Sequence, residues 1–362
     1  MAGRVQTTSR PTSGPSVPLA ARRHRLVAEV QRRLAGRCGV PAGATVAIGV
    51  SGGPDSVALL LAAAVLARRD DAVVKPVAVH VNHHLREAAR EDEAFVVELC
   101  RRFGLDVHVR HVHPAGQRGN LQANARSLRY QALAASARSA GAAFVAVAHH
   151  ADDQLETMLM AIGRGAGLDG LSGMRWARPA GDGLTLIRPL LAVRKADCED
   201  LCRAAGVTWR EDPTNTDAST ARGRLRRDVV GVLETLWPDA ATRATGTADV
   251  VAAARESLEV LLHRVFGAPA VRQWDRDALR ALSPVVIAAG LRRAAVEADP
   301  SVAEDLGQSV LATVAEAIAD ADRRPRRFDW PGNLKVVVTA GQVGLEDRPT
   351  QPPERPQQTE PT

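Results

Sequence analysis

The chain has 362 residues, 45% of them hydrophobic, which is enough to bury a substantial core and is most simply divided between two domains. The net charge of +6 and the pI near 9.7 point to a polyanionic partner, and Lys75, Lys195 and Lys335 are the only lysines, so arginine carries nearly all of the positive charge; GC-rich codon usage is the plainer source of much of that arginine. Cys38, Cys100, Cys198 and Cys202 make no CxxC pair, the longest apolar run (Val57 to Ala67) is too short to span a bilayer and the first 20 residues lack an apolar signal core, so the pattern argues against a disulfide framework, a zinc ribbon or a membrane partner and predicts a cytoplasmic protein.

Residues 1–22 and 348–362, rich in Ser, Thr, Pro, Gln and Glu, read as disordered tails. Between them, residues 23–217 alternate strand and helix patterns. Strands are predicted at Thr45–Val50, Lys75–Val81, Leu105–His111 and Phe144–Ala148, with helices reaching Arg69, Phe103 and Ala140. Such alternation predicts a parallel sheet covered on both faces, with Gly104, Gly141 and Gly206 as helix C-caps. From 218 to 347 the pattern is mostly helical, with Pro238 and Pro284 at first-turn positions and a terminal hairpin from Phe328 to Leu345.

The first chemical signal is Ser51-Gly52-Gly53-Pro54-Asp55-Ser56, where an apolar strand breaks and an alanine-rich helix begins. Converging backbone N–H groups at a helix N-terminus cradle phosphate, with Ser51 and Ser56 adding hydroxyls and Asp55 offering a Mg²⁺ contact. An ordinary Gly/Ser turn would explain three small residues alone; the strand and helix on either side favour nucleotide binding. His80-Val81-Asn82-His83-His84-Leu85-Arg86 follows the second strand, where His80 and Asn82 are placed for adenine and ribose; a metal site is the alternative, without a Cys or carboxylate at matching spacing. Arg126 and Arg129 share a helix face suited to phosphate.

His149-His150-Ala151-Asp152-Asp153-Gln154-Leu155-Glu156 opens a helix with a concentration of carboxylates, and Asp153 and Glu156 share a face. Capping explains one or two acids there; three beside a nucleotide loop point to Mg²⁺ or to a cationic substrate. Gly165, Gly167 and Gly170 form a GxGxxG that follows a helix rather than a strand, so it reads as a mobile loop that brings Arg164 to phosphate. Arg222, Arg224, Arg226 and Arg227 form a basic stripe suited to an RNA backbone.

SGGPDS resembles the pyrophosphate loop of the N-type ATP pyrophosphatases, or PP-loop family. Together with HVNHHLR, AHHADDQLET, GAGLDGLSGM, IRPLL and REDPTNTD, in that order from about Ala42 to Arg227, the chain resembles the tRNA(Ile)-lysidine synthetases. That resemblance implies an adenine-nucleotide-alpha-hydrolase-like α/β domain followed by a helical tRNA-contacting domain, and ATP with Mg²⁺ as cofactors. It also implies an enzyme that adenylates C2 of cytidine 34 in the CAU anticodon of tRNA(Ile), after which L-lysine displaces AMP. By the same resemblance Asp55 and Asp152 would meet Mg²⁺, Asp153 and Glu156 the lysine, Arg126, Arg129 and Arg164 the phosphates or the target base, and Arg222 to Arg227 the RNA; a homodimer is compatible with it. Gly223 departs from the family's Asn in RNRIR. The rival readings are a related tRNA thiolase, which needs reactive cysteines, and a non-catalytic nucleotide- or RNA-binding module.

Overall fold

The computed structural model describes residues 17–69, 73–84, 89–114, 121–210, 220–268, 271–303 and 305–348. Two compact units divide between Ala252 and Ala253. The first opens with the short helix α1 (Leu19–Arg22) and α2 (Arg25–Gly36). Val17 (2% exposed) and Ala21 (0%) are packed into the core, so the last part of the expected disordered tail is ordered. Apolar side chains every third or fourth position explain it, since Ala21, Leu26, Val27 and Val30 bury together.

Four strands follow in parallel, β1 (Ala44–Gly49), β2 (Val74–Asn82), β3 (Asp106–His111) and β4 (Phe144–Ala146), linked by helices α3 (Pro54–Leu66), α4 (Ala89–Arg102) and α5 (Leu121–Ser139). The boundaries lie within a few residues of the pattern, and Gly104, Gly141 and Gly206 adopt the expected left-handed caps at φ +58°, +63° and +60°. Helix α3 is apolar all round and almost entirely buried, as a helix enclosed on every side must be.

The sheet order is β3-β2-β1-β4-β6-β5, completed by β5 (Ala177–Pro179) and β6 (Thr185–Ile187). Strand β6 is parallel to β4, but β5 is antiparallel, an edge hairpin that the sequence pattern missed. The chain leaves β1 toward β2 and returns on its other side at β4. A doubly wound sheet parts its loops at such a reversal, so the ligand crevice opens above the carboxyl ends of β1 and β4. Helices α6 (Ala151–Gly163), α7 (Leu168–Leu171) and α8 (Lys195–Ala204) complete this region.

Beyond residue 219 the first unit continues through α9 (Ala221–Arg224), a π-helical turn (Leu225–Val230), α10 (Gly231–Leu236) and the start of α11 (Ala240–Phe266). Val230 and Ala241 pack on Ala151 and Leu155 of α6, which groups this stretch with the sheet. Pro238 precedes α11 instead of opening it; Trp237, extended at φ −134°, ψ 91°, ends α10 as a residue before proline does.

The second unit packs α12 (Arg276–Arg280), α13 (Pro284–Ala298) and α14 (Gln308–Ala319) against a four-stranded antiparallel sheet. Its strands are β7 (Gln273–Asp275), β8 (Arg326–Trp330), β9 (Leu334–Val338) and β10 (Gln342–Asp347), in the order β7-β10-β9-β8. The expected hairpin is therefore part of a larger sheet. Pro284 opens α13 as predicted. Gly290 allows α13 to approach Phe266, since a Cβ there would lie 2.0 Å from its ring. Arg276, 1% exposed, donates to the carbonyls of Ala317, Ile318, Asp320, Asp322 and Thr339, so carbonyls at and beyond the end of α14 solvate a cation that is paired with no carboxylate among the described residues. Among the described residues no helix is long and apolar enough to cross a membrane.

Candidate active site

Ser51 to Ser56 lie at the predicted strand-to-helix turn. Gly52 has φ +96°, a conformation that disfavours any side chain, and Gly53 caps α3 with Pro54 in its first turn. Ser56 organises the loop: its hydroxyl accepts the Ser51 and Gly52 N–H groups at 3.1 and 3.2 Å and donates to Gly53 O at 3.0 Å. A further clamp, unassigned from sequence, is Arg210, whose N–H donates to Gly52 O at 2.9 Å while its guanidinium grips Asp92 and Glu91 at 2.9 and 2.6 Å. Its place at the head of the REDP block was the available signal; residues 211–219 lie outside the described ones.

A cavity of about 440 Å³ opens beside this loop, lined among others by Gly49, Ser51, Ser56, His80, His83, Arg129 and His149. His80 Nδ1 lies 2.8 Å from Val50 O, and burial lowers its pKa, so the neutral ring donates there and keeps Nε2 as an acceptor. Asn82 is occupied internally, donating to Glu93 Oε2 at 2.8 Å and Ala89 O at 3.1 Å while accepting the His84 N–H at 3.0 Å. It shapes the loop that carries His83; Leu85 and Arg86 are outside the described residues.

Across the crevice, His150 sits among three carboxylates. Its Nε2 is 3.5 Å from Asp55 and 3.6 Å from Asp153, and its Nδ1 is 3.2 Å from Asp152. Burial opposes its charge, but Asp153, Asp152 and Asp55 outweigh burial and raise its pKa to about 9. Burial likewise opposes ionisation of Asp152, yet His150, the Lys195 N–H at 3.1 Å and Arg194 at 3.3 Å hold that carboxyl well below the usual range. Asp55 moves the other way: burial pushes its pKa up, with His150 only partly countering, and its Oδ1 is buried without a hydrogen-bond partner. A bare carboxylate oxygen is a hard donor of the kind Mg²⁺ takes one or two of from a protein, so Asp55 fits that ion as a single ligand, while among the described residues no group of three or more such donors converges on one point.

A folded-state pKa of His150 above its unfolded value means that its stabilisation is full below about pH 6.5 and fades as pH rises through about 9. Urea unfolding of metal-free protein should therefore show a gap between wild type and His150→Gln on the order of 3 kcal/mol at pH 6, closing by pH 10. A gap independent of pH would show that the imidazole acts there by packing alone.

Asp153 and Glu156 do share a face, but they meet two of the stripe arginines. Arg222 Nε donates to Glu156 Oε2 at 2.8 Å and Arg226 Nε to Glu156 Oε1 at 2.6 Å, while Arg226 Nη2 reaches Asp153 Oδ1 at 3.2 Å. Glu156 is 0% exposed, so both of its oxygens are taken. Arg222 and Arg226, four apart, thus turn inward; Arg224 is exposed, and Arg227 pairs with Asp228 at 2.6 Å. Gly223, at the position of the family's Asn, is buried and donates its N–H to Thr220 Oγ1 at 3.0 Å. Arg164 is exposed in the glycine-rich loop, whose far end Gln154 fixes by pairing with Met174 N–H and C=O at 2.8 and 3.1 Å.

Burial, with Arg188, Arg129 and Arg126 nearby, pushes the His149 pKa down to about 3 against the pull of Asp153. Its Nδ1 accepts from Arg188 Nε at 3.3 Å, which leaves the ring proton on Nε2. Arg126 and Arg129 flank Tyr130, with guanidinium carbons 5.2 and 5.5 Å from the ring centre.

A parallel sheet with a glycine-rich phosphate loop after its first strand and an acidic helix N-terminus at the reversal point defines a nucleotide-binding α/β protein. Residues 26–233 match the PP-loop domain family, and the chain belongs to that family. ATP use follows from it. The chain is similar to the tRNA(Ile)-lysidine synthases of Ralstonia nicotianae (42% identical over 195 residues, 54% of this chain and 41% of that protein), Geobacter sulfurreducens (40% over 215 residues, 58% and 44%) and Novosphingobium aromaticivorans (41% over 219 residues, 60% and 65%). It thus covers less than two thirds of the length of each. A solved U34-tRNA thiolase of Methanococcus maripaludis with its [4Fe-4S] cluster shares the fold at a TM-score of 0.51 and 17% identity, covering 67% of this chain and 87% of that one.

Proposed function

We propose that the chain ligates lysine to C2 of cytidine 34 in the CAU anticodon of tRNA(Ile), using ATP. The observation that carries this reading is the facing pair of phosphate loop and acidic helix at one crevice, in a chain similar to three proteins named for that activity. The base oxygen O2 attacks the α-phosphorus and pyrophosphate leaves; the lysine amine then attacks C2, AMP leaves, and the amine gives up a proton. The Ser51–Ser56 loop holds the departing pyrophosphate through the N–H groups at the start of α3, since Ser56 Oγ already takes those of Ser51 and Gly52. His80 Nε2 receives a donor from the nucleoside. Asp55, with Asp152 beside it, would hold Mg²⁺, which supplies charge neutralisation for the phosphates. Asp153, partly open to solvent, receives the lysine ammonium, whose protons pass to solvent as the amine forms and attacks, while Glu156 anchors Arg222 and Arg226.

Arg224 and Arg227 remain for the RNA backbone, Arg164 for phosphate, and the site of action is the cytoplasm. The thiolase alternative needs low-pKa thiols, whereas burial pushes Cys38 up to about 11 and Cys100 and Cys202 up to about 12. The test is incorporation of labelled lysine into tRNA(Ile) transcript with ATP, together with release of pyrophosphate and AMP. Incorporation one-to-one with AMP supports the reading; nucleotide turnover without lysine transfer overturns it.

A further inference from the structure

Tyr130, the one tyrosine of the chain, is surrounded by three guanidinium groups, those of Arg126, Arg129 and Arg178, with carbons 5.2, 5.5 and 5.7 Å from its ring centre. The first two come from α5 itself. Arg178 comes from the antiparallel edge strand β5, so tertiary structure, not helix periodicity, assembles the group. Behind them stands Arg188, 4% exposed, which donates to Arg175 O at 2.6 Å and to His149. Among the described residues none of these four guanidiniums is paired with a carboxylate. At the other end of the same two elements, Arg138 of α5 pairs with Asp182 of the β5–β6 turn at 3.0 Å, and Arg194, Arg210, Arg222 and Arg226 are likewise paired.

Four uncompensated positive charges within about a Debye length of one another repel, and a fold retains them at a cost that an anionic ligand relieves. Burial, together with the nearness of Arg178 and Arg126, lowers even the Arg188 pKa. The group lies at the carboxyl edge of the sheet and reaches the nucleotide cavity through Arg129. Arg126 and Arg178 are exposed, so the charge continues outward from the cavity to the surface. A triphosphate is already served by the Ser51–Ser56 loop on β1. Exposed guanidiniums around an aromatic ring suit a ribose-phosphate chain with unstacked bases.

We infer that the face formed by the start of α5 and strand β5 binds the RNA backbone flanking the target nucleotide, with Arg178 as a contact supplied by the edge hairpin. This inference rests on the tRNA substrate proposed above. Arg178→Gln should weaken tRNA binding about five- to tenfold at moderate salt and reduce the salt slope by about one unit, as loss of one phosphate contact does. ATP affinity should not change, and Arg138→Gln, which breaks the compensated pair, should behave as wild type. Binding is read by fluorescence anisotropy of labelled tRNA between 50 and 300 mM salt, and ATP by equilibrium dialysis. Unchanged tRNA affinity and slope in Arg178→Gln would overturn the inference, as would a loss of ATP affinity, which would give the arginines to the triphosphate. If wild type bound no tRNA at all, the proposed substrate itself would fall, and this inference with it.

Discussion

Asp55→Asn is expected to lose about a hundredfold or more of ATP-dependent pyrophosphate release while unfolding at the wild-type temperature or slightly above it. The carboxylate stands at the first turn of α3, where Oδ1 is buried without a partner and burial pushes the pKa up, so its negative charge is a local cost that His150 and, more weakly, Lys195 offset only in part in the metal-free protein. Removing that charge relieves repulsion with Asp152 and Asp153 and leaves the packing of α3 intact. What disappears is the hard oxygen donor beside the phosphate loop. Because the amide keeps the shape, the defect should persist at saturating ATP and should not be recovered by raising Mg²⁺ tenfold. Pyrophosphate release at the wild-type rate would remove Asp55 from the reaction and leave its buried charge unexplained.

Much of the first unit was legible because its signals are local. Apolar runs of strand length, helices of about three turns and glycines just past them specify β1 to β4 and the helices between, and SGGPDS marks the crevice without reference to any distant residue. The β5–β6 hairpin was not legible: each strand has three residues, and Pro179 together with Gly181 and Gly183 reads as loop. Likewise β7 is three residues long and gains its identity only by pairing with β10. In the site, residue types were visible but pairings were not. A stripe of Arg222, Arg224, Arg226 and Arg227 looks uniform in sequence. Helical geometry separates it, since positions 222 and 226 share a face, and the π-helical turn that follows packs against α6, so that face meets Glu156, 66 residues earlier. Similarly, His150 read as one more polar residue before a helix, and its central position depends on Asp55 arriving from the first turn of α3.

Glu156→Gln should destabilise the first unit by roughly 3 kcal/mol, toward the low end for breaking a buried ion pair because Arg222 and Arg226 keep partial access to water. The amide preserves volume but removes the charge that both guanidiniums share, and its NH₂ group would face one of them as donor against donor. Asp153→Asn, by contrast, should cost less stability and act on substrate, raising the KM for lysine at least about tenfold with the KM for ATP nearly unchanged, as loss of a charge-assisted contact does. Urea unfolding and steady-state kinetics on both variants separate the two roles. The coupling can be checked directly: Arg226→Gln in the Glu156→Gln background should cost less than in the wild type, because of its two carboxylate partners only Asp153 then remains. If Glu156→Gln instead kept full stability and raised only the lysine KM, Glu156 would be the ammonium site, and the two arginines would have to move aside whenever lysine binds.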